Sequence, residues 1–121
     1  MHEMGIASSV LEAVRAESRR FPNGHVYKVG LRIGALAGAD PEAVSFCFDA
    51  LVRDSGLEPL TLAIEYLPRQ HVCSACGQAF AAQDEDTACP ACGATDGLFA
   101  GGDELEIAYL EVEDGAAAAR A

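Results

Sequence analysis

Two cysteine pairs, CSAC at 73–76 and CPAC at 89–92, constrain this 121-residue chain more than any other feature. They lie in the stretch HVCSACGQAFAAQDEDTACPACGATDG, which has few large aliphatic residues and cannot build a core of its own. Something other than hydrophobic burial must hold it. Twelve residues separate the pairs, and Gly77 and Gly93 follow them. A glycine there lets the backbone curl so that amide groups point at the sulfurs, the geometry of a zinc knuckle. Four thiolates from Cys73, Cys76, Cys89 and Cys92 can close a tetrahedral shell, for which zinc is the usual occupant and a single iron the main competitor. Two disulfides are disfavoured, because five cysteines in a chain with no secretory signal read as metal ligands or buried thiols. A shell filled by protein leaves no position for a catalytic water, so the expected role is structural.

Charge narrows the partners. Acidic residues outnumber basic ones 19 to 8, giving a formal charge of −11, and no Lys or Arg occurs between Cys73 and Cys92. Asp84, Glu85 and Asp86 occupy the loop instead. A phosphate backbone is neutralised by clustered cations, so nucleic acid is not an expected partner. No run approaches the roughly 20 apolar residues that span a bilayer, and the N-terminus lacks a basic segment followed by an apolar one. The expectation is a soluble cytoplasmic protein with no membrane partner. No phosphate loop, G-x-S-x-G or H-E-x-x-H motif is present, since Ile6 stands where the second histidine would be needed, so the chain does not read as an enzyme. Cys47 falls on an apolar helix face and reads as a small buried thiol.

The rest of the chain is patterned for a small α+β domain. From Met4 to about Arg20, Ile6, Ala7, Val10, Leu11 and Val14 recur at helical spacing. HVYKVGLRI then alternates, with Tyr27, Val29, Leu31 and Ile33 on one face and Lys28, Gly30 and Arg32 on the other. The segment DPEAVSFCFDALVRDSG predicts a second helix with Asp40 as N-cap, Pro41 at the first position and Gly56 past the end. Val44, Cys47, Phe48, Leu51 and Val52 form its apolar face. Further strands are expected at TLAIEYL, with Leu62, Ile64 and Tyr66 in phase, and at ELEIAYLEVE, with Leu105, Ile107 and Tyr109 in phase. Strand, helix and strand from 25 to 67 imply a right-handed crossover and a parallel pair, to which the last strand adds antiparallel. The expected architecture is a mixed three-stranded sheet with two helices on one face, plus an inserted four-cysteine zinc-ribbon domain. Residues 1–69 and 101–113 would form the discontinuous α/β domain, 70–100 the ribbon and 114–121 a frayed tail.

The chain begins MHEMG. The α-amine of Met1, the amide nitrogen of His2 and its imidazole can close two fused chelate rings, and the Glu3 amide or carboxylate could complete the set. A nitrogen-rich tetragonal environment suits nickel(II) or copper(II). A solvated terminus is the ordinary reading of such a histidine, and with His2 idle the chain reads as a zinc-ribbon protein-interaction module without a nickel role. His25 reads as an exposed turn residue, and His71 as either a group supporting the metal ligands or a surface residue.

Taken together, the terminal MHE, the IGAL stretch, the SFCFDALV helix and the paired cysteines resemble the HypA/HybF family of hydrogenase-maturation nickel metallochaperones, over residues 1 to about 113. The resemblance implies a nickel-binding domain built from both ends of the chain and an inserted zinc domain. It implies nickel at Met1, His2 and Glu3 and structural zinc at Cys73, Cys76, Cys89 and Cys92. It also implies a HypB-type nickel-inserting GTPase as partner and the [NiFe] hydrogenase large subunit as client, with urease served by some members. A monomer or weak homodimer is expected. Some relatives carry a further histidine after the second cysteine pair, whereas ATDGLFAGGDE here has none. The fourth nickel position then falls to the Glu3 amide, a water or a partner's side chain.

Overall fold

The computed structural model describes residues 3–82, 88–95 and 97–113. Met1, His2, the acidic loop and the tail expected at 114–121 lie outside the described residues. Helix α1 spans Glu3–Ser18 and buries Ile6, Ala7, Val10, Leu11 and Val14, the five residues that its periodicity selects. Strand β1 (His25–Gly34) follows, then a short 3-10 turn at Ala35–Ala37 and helix α2 (Pro41–Val52). Asp40 caps α2 as its sequence predicts, its Oδ1 accepting from the Glu42 amide at 3.0 Å. Val44, Phe48 and Val52 are buried on its inner face, and Cys47 is half-buried against the same core.

Strands β2 (Thr61–Leu67) and β6 (Leu105–Glu113) flank β1 in the order β2-β1-β6. The β1–β2 pair is parallel and the β1–β6 pair antiparallel, which is the expected mixed sheet. Both helices contribute to one core with Val29, Leu31 and Ile33. Between β2 and β6 the chain makes a second three-stranded sheet from β3 (Arg69–Cys73), β4 (Ala79–Ala82) and β5 (Gly97–Gly101), with β3 central.

Strict alternation fails in the first sheet at two irregularities. One lies between Val26 and Lys28, and the other between Gly30 and Leu31, where Tyr109 pairs with Gly30 but Ile107 pairs with Leu31. An extra residue in one strand reverses which face its neighbours take. Val26 is therefore buried while Tyr27 is 41% exposed, correcting the expected inner face of β1. On β6, Leu105 faces the core, but beyond Ala108 the core contacts pass to Leu110 and Val112. Tyr109 lies outward instead, its ring occupying the space where a Gly30 side chain would stand. Tyr66 is also 53% exposed, although its partner Ile33 is fully buried. The outer face carries Arg32, whose Nε donates to Glu65 at 2.9 Å and whose Nη1 lies 3.6 Å from Glu106.

The two sheets join where three backbones cross without side chains between them. The Gly34 amide donates to the Glu104 carbonyl and the Leu36 amide to the Gly102 carbonyl, each at 2.7 Å. A Cβ on Gly34 would stand 2.1 Å from the Gly102 oxygen, and one on Gly102 would stand 2.6 Å from the Arg69 Cα. Gly34→Ala should therefore lose about 1–3 kcal/mol in urea unfolding, the usual range for overpacking. Gly5 lies in α1 with open space around its Cα, so Gly5→Ala should instead gain about 0.5–1 kcal/mol.

Candidate metal centres

The two cysteine pairs fold into the same local structure. The Cys73 amide donates to the Gln78 carbonyl at 2.9 Å, and the Gly77 amide donates back to the Cys73 carbonyl at 2.8 Å. The second pair repeats this at the same offsets, with Cys89 to Ala94 and Gly93 to Cys89, both at 2.8 Å. Each turn needs a left-handed residue at its fourth step, which Gly77 and Gly93 supply with φ of 78° and 80°. Cys73 and Cys89 are buried, whereas Cys76 and Cys92 are exposed.

All four Sγ atoms lie within 4.8 Å of one another. Cys73 faces Cys92 at 3.6 Å and Cys76 faces Cys89 at 3.7 Å. A tetrahedron with metal–sulfur bonds of about 2.3 Å has edges of about 3.8 Å, so the sulfurs fit one metal ion. Backbone amides of Cys76 and Ala75, with the thiols of Cys92 and Cys76, hold the Cys73 thiol down to about 7 against the opposing effect of burial. Burial opposes ionisation of Cys89, but the amides of Cys92 and Ala91 outweigh it and its thiol is also lowered. The Ala94 amide favours a Cys92 thiolate, yet the neighbouring thiol of Cys73, burial, and the thiols of Cys76 and Cys89 push it up to about 12. The Gln78 amide likewise favours a Cys76 thiolate, but the Cys89 thiol, burial and the Cys73 thiol raise it. Within each pair the backbone amides lower the first thiol, while crowding by the other sulfurs raises the second.

His71 is buried, which removes the surface reading and leaves that of a group near the metal ligands. Its ring stacks on Phe80 at 5.8 Å and meets the Phe99 edge at 6.4 Å. Neither ring nitrogen has a hydrogen-bond partner among the described residues. The ring reaches the cysteines only through Phe80, which shares a small core with Cys73, Ala82 and Cys89. His25 places Nε2 2.6 Å from the Pro59 carbonyl, and it is half-buried rather than fully exposed.

The other candidate ligand set is described only at Glu3. Its Oε2 accepts a hydrogen bond from the Asp40 amide at 3.2 Å. In a capping box, a carboxylate three residues into the helix reaches back to the N-cap amide. In α2 that position is Ala43, so Glu3 supplies the missing carboxylate from another helix. This ties the start of α1 to the turn after β1, close to the crossing of the two sheets. Sequence reading identified both residues but not their link. The available signal was an N-cap Asp40 with no Glu or Gln at the third position.

A family model described as hydrogenase/urease nickel incorporation, metallochaperone, HypA matches residues 1–112. The chain belongs to the HypA family. It is 43% identical over 115 residues to the hydrogenase maturation factor HypA of Geobacter metallireducens, covering 93% of this chain and all (100%) of that one. The HypA of Methylocella silvestris is 38% identical over 113 residues, with 93% and 100% coverage. The fold matches the solution structure of the Ni metallochaperone HypA from Helicobacter pylori with a TM-score of 0.59 at 20% identity, covering 94% of this chain and 99% of that chain. A second HypA solution structure matches with a TM-score of 0.64 at 20% identity, covering 92% and 95%.

One outcome tests this geometry. Glu3→Ala should cost about 1 kcal/mol in urea unfolding by removing the acceptor of the Asp40 amide, and adding Ala43→Glu should restore most of it.

Proposed function

We propose that the chain carries nickel(II) at its N-terminus and delivers it for assembly of a nickel enzyme. Its client would be [NiFe] hydrogenase, or urease in the manner of some relatives. The observation that carries this reading is the match to nickel-incorporation metallochaperones across both the MHE segment and the cysteine pairs. With Met1 as a free terminus, its amine, the His2 amide nitrogen and the His2 imidazole form the chelate. The Glu3 amide is the fourth candidate, because its carboxylate is engaged by Asp40. The protein acts by transfer rather than catalysis: a chelate at a chain end selects the ion and leaves it open to ligand exchange. A HypB-type GTPase and the hydrogenase large subunit are the proposed partners, in the cytoplasm.

Zinc is the proposed resident metal at Cys73, Cys76, Cys89 and Cys92. When bound it supplies a fixed cross-link with no redox chemistry, in a shell with no open position. The chain's own residues set that shell: the two knuckle turns orient the sulfurs, and Phe80, on which His71 stacks, packs with Cys73 and Cys89. We assign 70–100 to this unit and 1–69 with 101–113 to the nickel unit, joined at the glycine crossing.

Nickel titration of wild-type protein and His2→Ala tests the cargo site. The variant should lose at least about tenfold in affinity, a difference of about 1.4 kcal/mol, while equal affinity excludes the terminal chelate. Adding two residues before Met1 should have the same effect without changing zinc content or fold. Elemental analysis should find about one zinc per chain; iron and a red protein would replace the zinc assignment with a rubredoxin-like centre.

A further inference from the structure

Among the described residues β6 pairs with β1 alone, so its other side is an open strand edge. Beside that edge lies a groove of about 570 Å³ bounded by Gly5, Ser9 and Val10 of α1, Leu31 of β1, and Leu105 and Ile107 of β6. The register sets Ile107 opposite Leu31 and Leu105 opposite Ile33, so both project from the helix-bearing face, where Ile107 stays 38% exposed. Glu106, between them, projects from the other face, 3.6 Å from Arg32. Glu111 lies on that same outer face, beside the exposed Tyr27 and opposite Lys28.

Two properties of this edge select its occupant. The first is the backbone: an open row of strand amides and carbonyls is completed by another extended chain rather than by a helix. The second is the order of charges. Across the outer face, Glu65, Arg32 and Glu106 stand in one row, and Thr61, Lys28 and Glu111 in another. Arg32 donates to Glu65 at 2.9 Å and lies farther from Glu106, so one carboxylate of its row is in excess, and both rows end at the open edge on a glutamate. A strand added there continues both rows, and a cation opposite each glutamate keeps the signs alternating. Its intervening side chains turn the other way, into the apolar groove. We infer that β6 is the docking edge for an extended segment of a partner protein in which apolar residues alternate with Lys or Arg, added as a fourth strand of the first sheet. Pairing with β6 of a second copy would instead gather two sets of glutamates on one face. The glutamates thus block self-association, as charges on edge strands do, while leaving the edge open to a strand of opposite sign. This inference is independent of nickel, because none of these residues is a proposed ligand.

The test uses the full zinc-loaded chain and three synthetic peptides, followed by amide chemical shifts and amide hydrogen exchange. One peptide alternates valine with lysine, the second alternates valine with glutamate, and the third has the composition of the first with its valines and lysines in separate blocks. The first should shift and protect amides along Leu105–Glu113, and the other two should not. Glu106→Gln combined with Glu111→Gln should weaken that peptide about fivefold or more, and Ile107→Ser, which strips an apolar wall of the groove, about threefold or more, whereas the distant Glu58→Gln should change it less than about twofold. The fold of each variant is verified by its amide spectrum; if Ile107→Ser does not fold, Ile107→Thr, which keeps the β-branch, serves in its place. Equal binding of the block peptide, shifts spread over the acidic surface, or unchanged affinity in the glutamine variant would overturn the inference. So would protection of β6 amides that rises with protein concentration in the absence of peptide, which would assign the edge to a second copy, or loss of their protection on removing 114–121, which would assign it to the chain's own tail.

Discussion

The first sheet and its helical layer depend on β1 having a strand on each side. The β2 partner arrives after a helical crossover, because a parallel neighbour cannot be reached by a tight turn, and the crossover helix α2 lands on the same face as α1. The β6 partner returns from the far side of the second sheet and runs antiparallel. Valine, leucine and isoleucine at 29, 31 and 33 are nearly or fully buried because the helices close one face over a strand paired on both edges. Remove the β6 pairing and the inserted segment has no return address.

Much of this architecture was legible in the chain itself. Five apolar residues in α1 repeat at helical spacing and all five are buried, because an amphipathic helix has one way to face a core. The start of α2 follows from Asp40 and Pro41, where local backbone chemistry decides, whereas the helix ends at Val52, four residues before the Gly56 expected just past its end. The strand faces were less legible. A bulge adds one residue to one strand, and no period-2 pattern reveals which of Val26 and Tyr27, or of Tyr109 and Leu110, will take the inner position. Tyr109 turns outward because its ring finds a flat seat on Gly30, a pairing between residues 79 positions apart.

The metal-binding cluster was legible from spacing because the knuckle is a local structure: five residues and one left-handed glycine determine where two sulfurs point. That both knuckles share hydrogen bonds at identical offsets explains how four sulfurs of different exposure come to form one compact set. The Glu3 contact to Asp40 is of the opposite kind. It joins a helix start to a helix cap 37 residues away, and only the packing of α1 beside α2 brings them together. Its chemistry is ordinary for a cap; its position gives it significance, because it holds the start of α1 beside the place where the second sheet departs.

The glycine crossing has a consequence for how such a chain tolerates change. Arg69 and Gly102 stand side by side, so the whole excursion between them is, from the viewpoint of the first sheet, a loop whose ends are already tied. The entropy of closing a loop grows only with the logarithm of its length, about 0.6 kcal/mol for each doubling. Lengthening, shortening or exchanging the excursion would therefore burden the host sheet little, provided that the two glycines remain bare. The insertion point is in that sense a socket, and its geometry belongs to the host rather than to the module plugged into it.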